Sequence, residues 1–427
     1  MFLSYYALDF PHPTDQDLRI LYSARTMAQV VLDRNTLAAL KGGEEVAGCE
    51  PLAQCGLLVP DLRAERADVL SYVEAVNSEN KHLAVAVIVG MACNFNCTYC
   101  YEGERKGGFT MNAATIAQLV PFILKQCRPG FERVSINFYG GEPLLYPEII
   151  KEISTAMASA CKDAGLSYDF GLVTNGSLLR PELVEDLKKY GLKAAQITLD
   201  GPAVSHNKSR PLKNGGGTFA TIVNNIKACA GLIKINVGGN FSKDNYQEFP
   251  KLFAELSEAG LGPAQLGELF FSPVLAPEEK KGPMAVHGGC SACSEKWLAP
   301  AVLELRAKLM AHGYHQEPLQ PVVCMVERDN AFTIHYDGSL CQCPAMVGHG
   351  ELICGDIWQG FADYREQYNV GHWQRQEECR ACKYLLLCFG GCRFMTLTHG
   401  AGMAIDCKKS YLDASLKGLV QQDIFYS

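Results

Sequence analysis

Three closely spaced cysteines, Cys93, Cys97 and Cys100, are the residues that most directly indicate chemistry in this chain. They are separated by three and two residues, so a short loop can wrap their thiolates around one metal centre. A [4Fe–4S] cluster normally takes four thiolates. Because the fourth is missing locally, one iron would stay open for another ligand. A zinc site or packed thiols are the alternatives, although zinc sites more often pair two two-cysteine arms.

A second group of eleven cysteines lies between Cys290 and Cys407. Thirteen residues separate Cys324 from Gly338, and four more precede Cys343. The later cysteines follow a C-x2-C-x5-C-x3-C pattern that is completed by one more cysteine, and they are Cys379, Cys382, Cys388, Cys392 and Cys407. A pattern of this length predicts a metal-binding domain far more strongly than a single CxxC pair, with zinc ribbons as the alternative.

The elements between Leu83 and about Pro273 alternate short apolar, β-branched runs with helical segments. The predicted strands are Leu83–Val89, Val134–Tyr139, Phe170–Thr174, Gln196–Leu199, Ile233–Val237 and Leu266–Phe271. The predicted helices carry apolar residues at three- and four-residue spacing, and they are Asn112–Cys127, Tyr146–Ala164, Pro181–Tyr190, Phe219–Ala230 and Gln247–Ala259. Six such alternations predict an α/β fold with a parallel sheet, open or closed into a partial barrel.

Polar or glycine-rich motifs follow the first four predicted strands. They are the cysteine loop Gly90–Cys100, then Gly140-Gly141-Glu142-Pro143, Asn175-Gly176 and Asp200-Gly201-Pro202. Parallel strands bring their carboxyl ends to one edge, where ligands bind in such folds. We therefore expect these motifs to form a single site.

The composition limits the classes of function. The chain has 427 residues, which suggests two or three domains at roughly 150 residues each. A net charge of −7 offers no electrostatic footprint for nucleic acid or anionic lipid. The N-terminus has no secretory pattern, and no apolar run approaches membrane-spanning length. We predict a cytoplasmic protein, in which nineteen reduced cysteines indicate metal or redox chemistry.

Residues 1–82 lack the strand–helix rhythm and are interpreted as a small α+β module. We expect a hairpin over Arg19–Asp33, a short helix over Arg34–Lys41 and a longer helix over Asp61–Glu79. The predicted domains are 1–82, 83–285 and 286–427, the last combining a bridging region with the cysteine-rich domain.

The cysteine loop, with Tyr99 before its last cysteine, closely resembles the signature loop of the radical S-adenosylmethionine (SAM) enzymes. The strand–helix alternation resembles their partial (β/α)6 barrel. The resemblance implies that SAM chelates the open iron and that one electron cleaves it to a 5′-deoxyadenosyl radical, which abstracts a substrate hydrogen. It also implies cofactor-binding roles for Tyr99, Gly140, Gly141, Glu142, Pro143, Asn175, Asp200 and Arg210.

Within that set, Glu142 is expected to accept a hydrogen bond from the SAM ammonium, and Arg210 to pair with a carboxylate. Taken alone, these residues have simpler interpretations: a turn at Gly140-Gly141, a helix cap at Asp200 and a surface charge at Arg210. His206 is interpreted as an ordinary polar residue.

The C-terminal cysteine pattern resembles the SPASM extension of radical SAM enzymes, and it matches at seven cysteines. The resemblance implies two auxiliary [4Fe–4S] clusters. It assigns Cys324, Cys343 and Cys392 to the first cluster, and Cys379, Cys382, Cys388 and Cys407 to the second. The first cluster's fourth ligand stays open between Cys290, Cys293, Cys341 and a substrate thiolate. Three clusters correspond to about twelve irons per chain.

Radical SAM proteins with this extension mostly modify peptides, so the resemblance implies a ribosomally made precursor peptide as partner. The N-terminal module is similar to the winged-helix domain that captures a leader peptide as an added strand. The chain looks most like the thioether-forming sactipeptide and ranthipeptide maturases, with the geopeptide maturases as a candidate closer branch. The reaction requires an electron donor such as a flavodoxin or ferredoxin.

Other functions remain open. A sulfatase-maturing enzyme is the nearest rival, although Pro344 stands where those enzymes carry an Asp. Carbon–carbon crosslinking and epimerisation are further peptide edits of the same class. A non-catalytic iron–sulfur electron carrier is the alternative from a different class, but it would need neither Glu142 nor the open three-cysteine loop. No residue is assigned as a general base.

Overall fold

A small α+β module begins the chain, and the computed structural model describes residues 1–100, 102, 106–274, 295–398 and 405–426. The elements of the module are β1 (Phe2–Leu3), β2 (Ala7–Pro11), β3 (Leu18–Ser23), β4 (Gln29–Asp33), α1 (Arg34–Gly42), α2 (Glu50–Gln54), β5 (Leu58–Val59), α3 (Leu62–Leu70) and α4 (Tyr72–Glu79). Strands β2, β3 and β4 form an antiparallel sheet, and β1 pairs with β5. The predicted hairpin and the short helix after it are confirmed.

The predicted long helix over Asp61–Glu79 is wrong, because the chain forms two shorter helices that meet at Ser71. The Ser71 hydroxyl donates hydrogen bonds to the carbonyls of Ala67 and Asp68, both 3.2 Å away. A serine that bonds back to the preceding turn competes with the helix ladder and bends the backbone.

Six parallel strands form the centre of the molecule, each paired with the next in sequence. They are β6 (His82–Gly90), β7 (Arg133–Gly140), β8 (Ser167–Thr174), β9 (Leu192–Thr198), β10 (Lys234–Phe241) and β11 (Leu269–Pro273). The helices between them are α5 (Ala113–Lys125), α6 (Pro147–Asp163), α7 (Pro181–Lys188), α8 (Ala203–Ser209), α9 (Phe219–Cys229) and α10 (Phe249–Glu258). This alternation confirms the predicted partial (β/α)6 architecture.

The sixth strand begins later than predicted, at Leu269 instead of Leu266. The Asn236 side chain accepts a hydrogen bond from the Glu268 backbone N–H at 2.9 Å, in place of a strand partner. Gly267 lies so close to this amide that a Cβ there would be 2.3 Å from Asn236 Oδ1. A side-chain contact therefore delays the regular ladder.

The C-terminal part adds two strands to the central sheet. Its elements are α11 (Leu298–Ala311), β12 (Ala331–Ile334), β13 (Leu340–Cys341), β14 (Gly355–Asp356), β15 (Gly360–Phe361), α12 (Glu377–Arg380), α13 (Leu385–Cys388), α14 (Arg393–Thr398) and α15 (Lys409–Tyr426). Strand β12 pairs in parallel with β6, and β13 pairs antiparallel with β12. The sheet therefore has eight strands, in the order β11-β10-β9-β8-β7-β6-β12-β13. None of the helices in the described ranges combines the length and apolarity needed to cross a bilayer.

Candidate functional site

The ends of β6 and β7 meet at the carboxyl edge of the sheet. The Gly141 N–H donates to the Gly90 carbonyl at 3.2 Å, and the Glu142 N–H donates to the Ala92 carbonyl at 2.9 Å. A Cβ on Gly141 would be 2.3 Å from the Ala92 oxygen. Gly140 has φ +131°, and a Cβ there would be 2.4 Å from the Gly90 carbonyl oxygen. The two glycines therefore allow the motif after β7 to lie directly against the start of the cysteine loop.

The cysteine loop is held on its other side by the end of α8 and the segment that follows it. The Asn96 N–H donates to the Pro211 carbonyl at 2.8 Å, and the Thr98 N–H donates to the Ser209 carbonyl at 2.9 Å. Phe95, which forms a bridge with Leu212, is buried. Backbone pairing on both sides fixes the loop without using its cysteine side chains.

All three loop cysteines line one cavity of about 360 Å³ at this edge. The other predicted residues that line it are Tyr99, Gly140, Gly141, Asn175 and Arg210. Burial raises the pKa of the Cys93 thiol to about 11. Burial also raises the pKa of Cys97, and the positive charges of Arg210 and Lys106 oppose that shift. These cations would stabilise thiolates and the negative charge of a bound cluster.

One hydroxyl, that of Tyr99, connects the cysteine loop to β9 and β10. It donates to the Asp200 carboxylate and accepts hydrogen bonds from Arg210 Nη1 at 2.6 Å and Asn240 Nδ2 at 3.1 Å. Asp200 also accepts from the Asn240 N–H at 2.7 Å. Burial raises the pKa of the Asp200 carboxyl, and the Arg210 guanidinium opposes this shift. Tyr99, Asp200 and Arg210, three predicted site residues, therefore form one network.

His206 connects the backbone of Asp200 to that of Arg210, behind the side-chain network. Its Nδ1 accepts a hydrogen bond from the Asp200 N–H at 3.1 Å, so the ring proton lies on Nε2, which is 3.0 Å from the Thr218 hydroxyl. Thr218 in turn donates to the Arg210 carbonyl at 2.8 Å. Burial, with a contribution from Arg210, lowers the pKa of His206 to about 3. The ring is a neutral, fully buried connector between Asp200 and Arg210.

Glu142 is fully buried and does not line the cavity. Its carboxylate accepts from the Thr174 hydroxyl at 2.6 Å, the Asn175 N–H at 2.8 Å and the Leu144 N–H at 3.0 Å. It therefore joins the ends of β7 and β8. Pro143, also buried, begins the 3-10 turn that follows. The expected contact of Glu142 with the SAM ammonium stays a prediction.

Asn175 reaches the cysteine loop from the end of β8. Its Nδ2 donates to Asn94 Oδ1 at 2.8 Å and lies 3.9 Å from Cys93 Sγ. Asn94 Nδ2 donates to the Ser177 hydroxyl at 2.9 Å. Hydrogen bonds to cluster sulfurs tune a cluster's reduction potential. The Asn175 amide therefore has two roles here: it fixes Asn94 in the cysteine loop, and it lies close to the sulfur of Cys93, which would bind the cluster.

Glu102 and Lys106 line the same cavity just beyond the cysteines. Glu102 is only 3% exposed, and its Oε1 has no hydrogen-bond partner in the described part of the chain. Burial raises the pKa of Glu102 to about 7, and Lys106 opposes the shift. Lys106 contacts Cys100, which raises the pKa of the lysine against the effect of burial. The cavity thus offers both a cation and a carboxylate beside the three thiols.

Seven of the C-terminal cysteines in the described ranges form two groups. In the first, burial raises the pKa of Cys343 to about 12, with further contributions from the nearby thiolates of Cys324 and Cys392. A buried ion pair lies beside two of these cysteines: Arg393 Nη2 is 3.2 Å from Glu327 Oε1, and both side chains are almost completely buried. This pair connects the segments that carry Cys324 and Cys392.

The second group lines a separate cavity of about 400 Å³. Its cysteines are Cys379, Cys382, Cys388 and Cys407. Burial raises the pKa of Cys379 to about 11, and the other three thiolates add to the shift. Tyr5 of the N-terminal module also lines this cavity, and its hydroxyl donates to the Ala381 carbonyl at 2.6 Å.

Of the three cysteines predicted as candidates for the fourth ligand of the first auxiliary cluster, only Cys341 lies in the described ranges. Cys341 is buried on β13, 3.2 Å from His335 Nε2 and 3.3 Å from the Cys343 carbonyl. Cys290 and Cys293 lie outside the described residues. In the described ranges, no three His, Cys, Asp or Glu side chains converge as tightly as one metal ion requires. A [4Fe–4S] cluster does not need that convergence, because each thiolate binds a different iron.

Residues 87–256 match the family model of the radical SAM superfamily. The chain carries a radical SAM domain. Such a domain implies SAM and one [4Fe–4S] cluster. The matched range contains the cysteine loop and all of the strand-end motifs.

Two curated relatives differ in how much of the chain they cover. The radical SAM cyclopropyl synthase TigE of Paramaledivibacter caminithermalis is 28% identical over 34% of this chain and 31% of its own length. The serine-type anaerobic sulfatase-maturating enzyme of Bacteroides thetaiotaomicron is 24% identical over 76% of this chain and 86% of its own length. The chain spans about a third to a half of the length of the first curated relatives it matches.

Two solved structures share the fold. The enzyme anSMEcpe with bound AdoMet has a TM-score of 0.61 at 17% identity, covering 81% of this chain and 98% of that one. Streptococcus suis SuiB bound to its precursor peptide SuiA has a TM-score of 0.53 at 14% identity, covering 95% of this chain and 98% of that one. The likeness in fold therefore extends beyond residues 87–256 to most of the chain.

Several residues of the radical SAM domain site were missed by sequence reasoning. Asn240 is the next-to-last residue of β10, and the strand-end rule would have found it if it had been extended to the fifth strand. Thr174 directly precedes a predicted site residue. His206 carried no signal, because its role depends on the fold that brings Asp200 and Thr218 to its two nitrogens. Glu102 and Lys106 follow the cysteines in a segment that has no pattern of its own.

Proposed function

We propose that this chain is a radical SAM maturase that modifies a ribosomally made precursor peptide by joining a cysteine sulfur to a carbon of the same peptide. One observation carries the proposal: Cys93, Cys97 and Cys100 share a cavity with Tyr99, Asn175 and Arg210 at the edge where the parallel strands end. The two C-terminal cysteine groups support the further assignment of a SPASM domain with two auxiliary clusters.

The residues of the cavity fit a cluster and SAM by their chemistry. Three thiols leave one iron open, and Arg210 and Lys106 supply positive charge beside them. The Glu142 oxygens already accept three protein donors, whereas Glu102 Oε1 is free within the described residues. We therefore add Glu102 beside Glu142 as a partner for the SAM ammonium, and we also assign to Glu142 the fixing of the strand ends, since a carboxylate can accept about four hydrogen bonds.

Cys93, Cys97 and Cys100 would hold the cluster, and SAM bound beside it would supply, after one-electron reduction, a 5′-deoxyadenosyl radical able to take one hydrogen atom from a peptide carbon. The balance of the crosslink follows from this step. The cysteine thiol would lose its proton and its sulfur would bond to that carbon, and the one electron released would need an oxidised acceptor, which a cluster held by the C-terminal cysteines would supply. The peptide loses two hydrogens for each bond formed. A small electron carrier such as a flavodoxin or ferredoxin would reduce the first cluster.

The auxiliary clusters are assigned to the two C-terminal groups. The effect of the Cys324 thiolate on the pKa of both Cys343 and Cys392 supports the assignment of all three to one cluster, with the fourth position open to a protein or substrate thiolate. The cavity shared by Cys379, Cys382, Cys388 and Cys407 supports the other. Because Cys407 is exposed, the second cluster would lie near the surface, where electrons can leave.

The N-terminal module is assigned to capture of the leader peptide. Its three-stranded antiparallel sheet ends in β4, whose outer edge no strand of the described chain covers. An extended peptide can add to such an edge through main-chain hydrogen bonds. The precursor peptide bound to SuiB supports a peptide of this class as the substrate.

The test is to incubate the anaerobically reconstituted protein with SAM, a reductant and a small cysteine-rich peptide encoded near its gene. We expect the peptide mass to fall by two hydrogens per crosslink, with one fewer alkylatable thiol for each. A variant with Cys93, Cys97 and Cys100 changed to Ala is the matched control and should leave the peptide unchanged. A two-hydrogen loss that leaves every thiol alkylatable would exclude the thioether and favour a carbon–carbon bond.

A sulfatase-maturing activity is the second candidate, favoured by the relative from Bacteroides thetaiotaomicron that matches 76% of this chain. Pro344 after Cys343 remains the residue that counts against it. A peptide with a sulfatase-type cysteine would distinguish the two. Conversion of that cysteine to an aldehyde, with loss of its sulfur, would replace the thioether proposal.

A further inference from the structure

A second cavity, of about 610 Å³, adjoins the cysteine cavity on the inner face of the sheet. Both cavities are lined by Tyr139, Val173, Thr198 and Asn240, so they are neighbours across these four side chains. None of the three loop cysteines lines the second cavity. A molecule in this inner chamber would therefore lie beside the proposed SAM site without occupying it.

The chamber exists because the strands carry small residues and side-chain amides at its walls. The small residues are Ala84, Ala86, Gly171 and Ala194, and the amides are Asn137, Gln196 and Asn236. A Cβ on Gly171 would be 2.7 Å from Asn137 Oδ1, so only glycine at this position leaves room for the Asn137 amide in the wall. An amide both donates and accepts hydrogen bonds. This lining suits the N–H and C=O groups of a peptide backbone.

Arg328 is the single charged side chain among the residues that line the chamber. It follows the 3-10 turn Met325–Glu327, and it is half-buried. Its Nε is buried without a hydrogen-bond partner, and none of the ion pairs in the described ranges includes its guanidinium.

The three buried arginines of the described chain differ from Arg328 in this respect. Arg210 lies 3.8 Å from Asp200, Arg306 lies 2.5 Å from Asp423, and Arg393 lies 3.2 Å from Glu327. An arginine cannot lose its charge in a protein, and the half-buried Arg328 brings its charge to the chamber without an ion-pair partner among the described residues. The missing partner of Arg328 is therefore expected to be an anion that enters the chamber.

We propose that Arg328 binds a carboxylate of the peptide substrate and thereby positions the peptide in the inner chamber, next to the SAM site. The inference rests on the proposed function and specifies its substrate as an acidic peptide. A planar guanidinium pairs with a carboxylate through two parallel hydrogen bonds, which orient as well as attract. The wall amides then hold the uncharged backbone on either side.

The test uses synthetic peptides as probes, with binding measured by anaerobic calorimetry on the cluster-loaded protein with SAM and without reductant. The first peptide is Ac-Gly-Cys-Ala-Glu-Ala-Cys-Gly-NH2, and the second replaces Glu by Gln. A third keeps Gln but has a free C-terminal carboxylate. We expect a carboxylate peptide to bind about ten-fold more tightly than the neutral one. The first and third peptides distinguish a side-chain carboxylate from a terminal one.

The preference should disappear in Arg328→Gln and persist in part in Arg328→Lys, which keeps the charge but loses the planar fork. Arg63→Gln, at an exposed position of α3, is the control and should behave as wild type. Iron content and the visible spectrum report whether each variant has folded and loaded its clusters. If Arg328→Gln does not load its clusters, the proposal is judged from the peptide preference of the wild type and of Arg328→Lys.

Equal binding of the neutral and carboxylate peptides by wild type, or no binding of either carboxylate peptide, would overturn the proposal. So would an unchanged preference in Arg328→Gln. Formation of 5′-deoxyadenosine by the wild type with reductant is measured separately. Its absence would contradict the proposed function, whereas the binding comparison reports on Arg328 alone.

Discussion

Tyr99 joins the cysteine loop to the two strands on the far side of the site through a single hydroxyl. It contacts Asp200, Arg210 and Asn240, which come from three different parts of the sequence. The sequence motif placed Tyr99, Asp200 and Arg210 in one site, but it could not show that they bond to one another. In this structure these side chains hold one another in place by hydrogen bonds. A SAM molecule that contacts them would therefore meet side chains that are already ordered.

Glu142 has a similar internal role, which a conservative change can test. In Glu142→Gln the new amide N–H₂ would face groups that are themselves donors, so at least one hydrogen bond would be lost. A buried unsatisfied group costs about 1–3 kcal/mol. We expect a lower melting temperature of the SAM-free protein. Glu148→Gln, at an exposed position of α6, is the control. Unchanged melting with weakened SAM binding would instead favour direct contact of Glu142 with SAM.

Gly141 tests the close approach of the two strand ends. Gly141→Ala would place a Cβ 2.3 Å from the Ala92 oxygen, and the contact is with backbone, which cannot rotate away. We expect the cysteine loop to be displaced and the iron content of the reconstituted protein to fall by about four irons, one cluster. Gly231→Ala, where nothing lies within 4 Å of the new Cβ, should load as wild type. Full iron loading of Gly141→Ala would contradict this account.

At the scale of elements, the sequence predicted the six parallel strands and the edge at which their motifs meet, because hydrophobic periodicity and strand-end polar residues are local signals. It did not predict β12, a four-residue strand whose existence depends on the free edge of β6. It missed the helix break at Ser71, where one hydroxyl competes with the backbone. These features depend on contacts that sequence spacing does not encode.

The connection between β9 and α9 carries a pH-dependent contribution to stability through His206. Burial lowers its folded-state pKa to about 3, below an ordinary value of about 6.5. The neutral ring therefore stabilises the fold above pH 6.5, and this contribution is lost as the pH falls towards 3. Between pH 7 and 5 the loss is at most about 2 kcal/mol. The difference in melting temperature between wild type and His206→Asn should narrow over this range; a constant difference would contradict the assignment.

At the scale of the whole molecule, the C-terminal part both extends the sheet and carries the two cysteine groups. The Glu327–Arg393 pair lies where these roles meet, between the segments of Cys324 and Cys392. Removal of one partner leaves a buried charge unpaired. No sequence pattern singles out this pair, because its members are separated by 65 residues and become neighbours only in the folded chain.

Arg393→Met should lower stability by about 3–5 kcal/mol, the usual effect of breaking a buried ion pair from one side. We expect a lower melting temperature and reduced iron in the C-terminal clusters. Arg380→Gln breaks the exposed pair with Glu377, which is 3.5 Å long, and serves as the control with little expected effect. Equal melting temperatures for the two variants would show that the buried pair does not hold this region.

The most direct test of the account is the formation of 5′-deoxyadenosine from SAM by the anaerobically reconstituted protein with a reductant. Wild type should form it, and should contain about twelve irons per chain. The variant with Cys93, Cys97 and Cys100 changed to Ala should retain about eight irons and form none. Absence of 5′-deoxyadenosine in the fully loaded wild type, or unchanged iron in the variant, would contradict the assignment of the cysteine loop as the SAM site.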